Sequence, residues 1–189
     1  MELSMDRRQK KSRTAIFRAF TELLCEYRLE QITVSRVIER ADVGRATFYA
    51  HFETKDALTL AFCQDLFCHI FDSIRENCED HVHLFRCEST DSVFIHLCKH
   101  LQNKVHQILR MLVCQGDNYF VNVFKDELKK LFRSCPEIME DQRVGEISVD
   151  FWLEYLTNAF LGVISWWHSH GLALSAQQIM DRFMRASCI

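Results

Sequence analysis

A single proline, Pro136, and five glycines are the only strong helix breakers in 189 residues. Proline removes a backbone donor and clashes with the preceding turn, and glycine loses more backbone entropy on ordering than any other residue. A chain with so few of either is built from helices joined by short turns. Hydrophobic residues make up 48% of it, enough to bury a core and too many for a disordered chain.

The apolar residues say where the helices lie. Ala15, Ile16, Ala19, Phe20, Leu23, Leu24 and Tyr27 draw one stripe at the helical period, which predicts a helix from about Ser12 to Tyr27. Thr33 is an N-cap residue for a helix over about Val34 to Ala41, with Val34, Val37, Ile38 and Ala41 facing inward. Two turns are too few to hold in water, so this helix must pack on the first. Asp42, Val43 and Gly44 break the pattern. A second short helix follows over about Arg45 to Ala50, burying Phe48 and exposing Arg45, Ala46 and Tyr49. Thr54 then opens a long helix from about Lys55 to Cys78. Beyond a linker over about 81–90, helices are expected over about 92–114, 119–134 and 148–169. A turn at Gln115-Gly116-Asp117 separates the first two, and Pro136 stops the second. Gly171 in left-handed geometry closes the third. A Ser175–Gln178 capping box starts the last helix, which runs to about Ala186.

Two short helices joined by a tight turn and backed by a longer one are the parts of a helix-turn-helix unit, whose second helix can enter the major groove of DNA. Charge is distributed to suit. The chain carries a net charge of -3, but residues 1–60 hold 11 Lys+Arg against 9 Asp+Glu. Arg7, Arg8, Lys10, Lys11 and Arg13 form a basic N-terminal arm that can attract phosphate.

Residues 33–56, and above all Thr47-Phe48-Tyr49-Ala50-His51-Phe52 followed by Lys55, resemble the DNA-binding segment of the TetR/AcrR family of bacterial regulators. The resemblance covers about residues 10–60; the remainder agrees in helical layout. It implies an all-α fold, with a three-helix DNA-binding domain over 1–60 and a helical dimerisation and ligand-sensing domain over 61–189. It also implies roles. Thr33 caps the second helix and touches phosphate; Arg45, Ala46 and Thr47 face bases; Tyr49 and His51 hold the backbone. Lys55 meets a phosphate at a helix N-terminus, where an anion is already favoured. Ser35, Arg36 and Gly44 complete the DNA-binding set. Asp42 stands where glycine is usual, and Gly44 where a hydroxyl-bearing cap is usual. The partners implied are double-stranded DNA with a palindromic operator and a second copy of the chain. An apolar or aromatic small-molecule effector is also implied, lined by Phe62, Phe94, Leu101 and Phe120. The apolar side of 151–167, with Phe151, Leu156, Phe160, Val163 and Trp167, is the expected dimer face.

Other readings are weaker. Nine cysteines, odd in number and without CxxC spacing, read as reduced thiols of a cytoplasmic protein with no signal segment. The apolar stretch from Ala159 to Trp167 is too short to span a bilayer. His96 and His100 lie four apart, a spacing that can present two metal ligands on one face, but no third ligand is evident from the sequence, so neither metal nor cofactor is expected. No phosphate loop or nucleophile elbow points to an enzyme. The rival readings are a helix-turn-helix regulator answering to a protein partner, and a helical module that binds no DNA.

Overall fold

The computed structural model describes residues 7–72, 92–103, 108–113, 118–140 and 146–187, and these are helical throughout, with no strand among them. Helix α1 spans Arg7–Glu26, and a single 3-10 turn, Leu29–Gln31, leads to α2, Val34–Ala41, and α3, Arg45–Tyr49. Then come α4, Lys55–Asp72; α5, Val93–Gln102; α6, Ile108–Val113; α7, Asn118–Arg133; and α8, Pro136–Met139. The last two are α9, Val149–Ser169, and α10, Ala176–Ser187. The expected end of α4 at Cys78, the 81–90 linker and the Gln115-Gly116-Asp117 turn lie outside the described residues.

Several boundaries differ from expectation, each for a local reason. Helix α1 begins at Arg7 rather than Ser12, so the basic arm is the first turns of a helix. Long unbranched basic side chains are good helix formers, and no breaker precedes Ser12. The helix expected over 92–114 is divided: Asn103 is extended (φ -70, ψ 108), and its N–H bonds back to the Lys99 and His100 carbonyls at 3.2 Å. Pro136 does not merely stop α7; it occupies the first turn of α8, where its missing N–H costs nothing. Cys135 before it is extended (φ -97, ψ 111), as a residue preceding proline must be.

The later caps follow the sequence. The Ser148 hydroxyl accepts from the Phe151 N–H at 3.2 Å, Gly171 takes φ +67 after α9, and the Ser175–Gln178 box closes with bonds of 2.9 and 3.2 Å. Leu172 shares the left-handed turn at φ 57.

One continuous apolar cluster runs from α1 to α10. At its N-terminal end, Phe62 of α4 lies against Phe20 (5.5 Å between ring centres) and Phe17 (6.3 Å) of α1, and Phe17 reaches Phe52 at 5.6 Å. Further along α4, Phe67 meets Phe124 of α7 edge-on at 5.1 Å. Phe132 of α7 joins three helices, with Phe94 stacked at 5.2 Å, Phe183 at 6.1 Å and Phe160 at 6.3 Å. Cys63 and Cys98 are buried in this cluster, and burial pushes both thiols up, so each packs as a small apolar side chain.

One expectation needs correction. Leu156, Phe160 and Trp167 are fully buried within the chain and belong to its core, not to an outer face; Phe151 is exposed and Val163 half-buried. The helix is apolar on more than one side, and the chain's own α7 and α10 cover most of it. Phe62 packs against the rings of α1, and Leu101 and Phe120 are buried in the same apolar cluster. Phe94 does border a surface groove of about 430 Å³ between α5, α8 and α10, together with Ile95, Ile138, Met180 and Met184.

Removing the Phe132 ring deletes contacts to α5, α9 and α10 at once. Phe132→Ala is expected to cost about 3–5 kcal/mol of unfolding free energy, the range for truncating a buried phenylalanine. Urea denaturation checks it; a loss below about 1 kcal/mol, the level of a surface change, would mean that this ring is not the hub.

Candidate nucleic-acid interface

The surface formed by α2, the turn and α3 rests on α1. Thr33 caps α2 as expected, its hydroxyl accepting from the Arg36 N–H at 3.3 Å. Helix α2 is fastened sideways. Arg40 donates two bonds of 2.8 Å to the Glu26 carboxylate of α1, and Arg36 stacks over the Tyr27 ring at 4.4 Å while donating to the Gln31 carbonyl. The Arg40 hydrogen bonds hold the Glu26 carboxyl below its ordinary range and raise Arg40, but both groups lie at the surface, where such a pair orients more than it stabilises.

The turn is a Schellman motif. Asp42 is left-handed (φ 51, ψ 48), its N–H bonds to the Glu39 carbonyl, and the Val43 N–H reaches the Ile38 carbonyl, both at 3.2 Å. Aspartate is one of the few residues with a side chain that tolerates this geometry, which is why it replaces glycine here without altering the turn. Gly44 is an N-cap without a cap oxygen. Its φ of -72 is open to any residue, and a Cβ there would meet only the Thr47 hydroxyl oxygen at 3.8 Å. Glycine is therefore not demanded by the backbone, and its consequence is chemical: no hydroxyl at the start of α3.

Helix α3 has five residues and is held by its aromatic anchors. Phe48 is wholly buried, and Phe52 sits 5.9 Å from it and 5.6 Å from Phe17. With this side anchored, Arg45, Ala46 and Tyr49 face outward; Tyr49 is 51% exposed and lies edge-on to Phe48. Thr47 is half-buried, and Thr33, Ser35, Arg36 and Gly44 are exposed.

Two further sequence-expected residues have structural partners. The Lys55 ammonium donates to the Leu29 carbonyl at 3.0 Å, tying α4 to the 3-10 turn with one of its three N–H groups. The His51 Nε2 lies 2.7 Å from the Ser12 hydroxyl of α1. Sequence reading missed this pairing, since the partners are 39 residues apart, and it missed the Arg40–Glu26 and Arg36–Tyr27 braces for the same reason. Arg13 of the basic cluster lies over Phe17 (4.9 Å) and Phe52 (5.1 Å), so it too braces α1 against the region following α3.

Residues 16–62 match the family model described as bacterial regulatory proteins, tetR family, and residues 88–187 match one described as transcriptional regulator C-terminal region. The chain belongs to the TetR family. It is similar to a TetR transcriptional regulator from Streptococcus agalactiae 2603V, known from its crystal structure, with 29% identity, a TM-score of 0.73 and 96% of each chain covered. It is also 32% identical over 60 residues to the uncharacterised HTH-type transcriptional regulator YvdT of Bacillus subtilis (strain 168), a match spanning 32% of this chain and 31% of that relative. As in that family, this TetR regulator has a helix-turn-helix unit followed by helices among the described residues. No helix among the described residues is long and apolar enough to cross a membrane.

The partial burial of His51 makes the stability of this TetR head sensitive to pH. Burial, and then the nearby Arg13 charge, lower the His51 pKa from 6.5, so the folded state prefers the neutral ring. That contribution is complete above pH 6.5 and is lost as pH falls through the depressed folded value. His51→Gln removes the titration and keeps a hydrogen-bonding group near Ser12. The stability advantage of the wild type over the variant should shrink as pH falls from about 7.5 to about 5.5. Paired denaturation curves at each pH measure it; a constant difference would show that His51 titrates alike folded and unfolded.

Proposed function

We propose that this TetR regulator is a dimeric repressor that occupies a palindromic operator and leaves it when an effector binds its helical body. The single observation that carries the reading is α3: its inner side is locked by Phe48 and Phe52, and Arg45, Ala46 and Tyr49 are left outward on a helix short enough to enter the major groove. Arg45 is the only long basic side chain on α3 and donates in pairs to a guanine edge, with Ala46 and Thr47 beside it. Thr33, Ser35, Arg36, Gly44, Tyr49 and His51 approach the phosphates, as does Lys55 through its remaining N–H groups. Phosphate contacts position the protein; base contacts specify the site. The chain acts on DNA in the cytoplasm and is not an enzyme.

The dimer face we assign is the outer stripe of α9. Phe151, Tyr155 and Trp166 are 62%, 46% and 42% exposed, and with Gly162 they recur at helical steps of four, seven and four. A Cβ at Gly162 would meet nothing within 4 Å of its own chain, so a partner helix can approach there closely. Paired α9 and α10 helices form a four-helix bundle about a two-fold axis, and two heads then meet half-sites about 34–36 Å apart, one turn of DNA. The groove bordered by Phe94, Met180 and Met184 supports a small apolar effector. By linkage, that effector must bind the DNA-incompetent state more tightly.

Two measurements test this. Operator fragments selected from genomic DNA are titrated with Arg45→Ala and, in parallel, with scrambled duplex. Arg45→Ala should lose operator binding by about 1–3 kcal/mol and scrambled binding far less; equal losses would make Arg45 a phosphate contact and unseat the assigned reading face. Sedimentation at micromolar concentration should show a dimer for the wild type and a folded monomer for Tyr155→Glu/Trp166→Glu. A wild-type monomer there would remove the dimer.

A further inference from the structure

Three histidines meet inside the body where α4 passes α5. His96 and His100, one turn apart on α5, are buried, and His69, near the end of α4, is half-buried. Their rings form a nearly equilateral triangle, with centres 4.9 Å (His69–His96), 5.0 Å (His69–His100) and 4.9 Å (His96–His100) apart. One ring nitrogen from each lies within 4.8 Å of the others, and the Nε2 atoms of His96 and His100 are 3.1 Å apart. No carboxylate or thiolate joins this cluster among the described residues. The sequence hid it because His69 stands 27 residues before His96, on another helix.

We propose that His69, His96 and His100 form a binding site for a divalent first-row transition ion, with zinc the favoured occupant. Imidazole suits zinc, nickel and copper, whereas magnesium and calcium require oxygen donors that the cluster lacks. A tetrahedral ion with bonds of about 2.0–2.1 Å holds its nitrogen ligands about 3.3–3.4 Å apart. The His96–His100 separation already lies near that value, and a side-chain rotation of His69 completes the set. Three neutral imidazoles leave a fourth position open for water. The alternative is a purely structural cluster joined by hydrogen bonds between rings. It accounts for the 3.1 Å pair, but it does not require three rings from two helices to surround one point.

The position matters for regulation. His69 lies 14 residues from Lys55 along the same helix, roughly 21 Å at 1.5 Å per residue. An ion bridging it to α5 ties one end of α4 to the body while the other end packs in the head. If the DNA-binding reading above holds, metal occupancy shifts operator affinity, within the roughly 5–150-fold range usual for coupled sites.

The test begins without DNA. The full chain, stripped with a chelator, is titrated with zinc against a chromophoric competitor, and separately with cobalt(II), whose spectrum reports its ligands. The expected result is one ion per chain with micromolar or tighter affinity, and a four-coordinate cobalt spectrum without a thiolate band, which separates this site from the nine cysteines. His69→Asn and His96→Asn should each weaken binding by more than about a hundredfold, since even changes beyond the direct ligands cost about 10–100-fold. His69 is half-exposed, so its variant is expected to fold, and circular dichroism checks this. Failure of the wild type to bind zinc, or unchanged affinity in a folded His69→Asn, overturns the proposal while leaving the DNA reading intact. Operator titration with and without zinc follows; metal binding that leaves operator affinity unmoved overturns the regulatory part alone. Absence of any operator binding would instead count against the DNA reading and leave the site standing.

Discussion

The packing of Phe62 between Phe17 and Phe20 decides how the molecule is built, because it makes the helix that leaves the head part of the head's own core. Helices α2 and α3 have eight and five residues and cannot persist in water alone. They exist because Val37, Phe48 and Phe52 find α1 and the start of α4 already in place. The same α4 carries Phe67 against α7 and His69 against α5. Helix α4 is thus a wall of the head at one end and part of the body's packing at the other. Close-packed interiors yield in discrete rearrangements rather than by gradual deformation.

Around that core, polar contacts orient rather than stabilise. The Arg40–Glu26 pair and the Arg36–Tyr27 stack lie at the surface, where solvent screens such contacts and leaves them little weight in stability. Their effect is to set α2 at one angle to α1. The Asp42–Val43 turn holds the start of α3, and His51 on Ser12 and Lys55 on the Leu29 carbonyl hold the chain that follows it. Arg45, Ala46 and Tyr49 face outward between that turn and those anchors.

The body shows how far periodicity can mislead. Helix α9 is apolar around more than half its circumference, so sequence alone does not say which apolar residues meet the chain's own core and which remain outside. Trp167 is buried with its indole N–H donating to the Leu174 carbonyl at 3.0 Å, while the adjacent Trp166 is exposed and stacks on His170. Neighbouring residues of the same type have opposite environments because a helix turns about 100° per residue.

What the sequence determined by itself is local. The scarcity of breakers made the chain helical, Thr33, Ser148 and the Ser175–Gln178 box set helix starts, and Asp42 and Gly171 set left-handed turns, since each depends on atoms within a few residues. The helix-turn-helix with its outward Arg45 and Tyr49 was legible for the same reason: a short helix with two aromatic anchors has only one side left to present. Tertiary structure alone decided what depends on distant partners. It broke the 92–114 helix at Asn103, seated Phe62 among the rings of α1, and chose which side of α9 is covered. It also brought His69 to His96 and His100. Loop connections and helix crossing angles, which no local pattern encodes, fix those meetings.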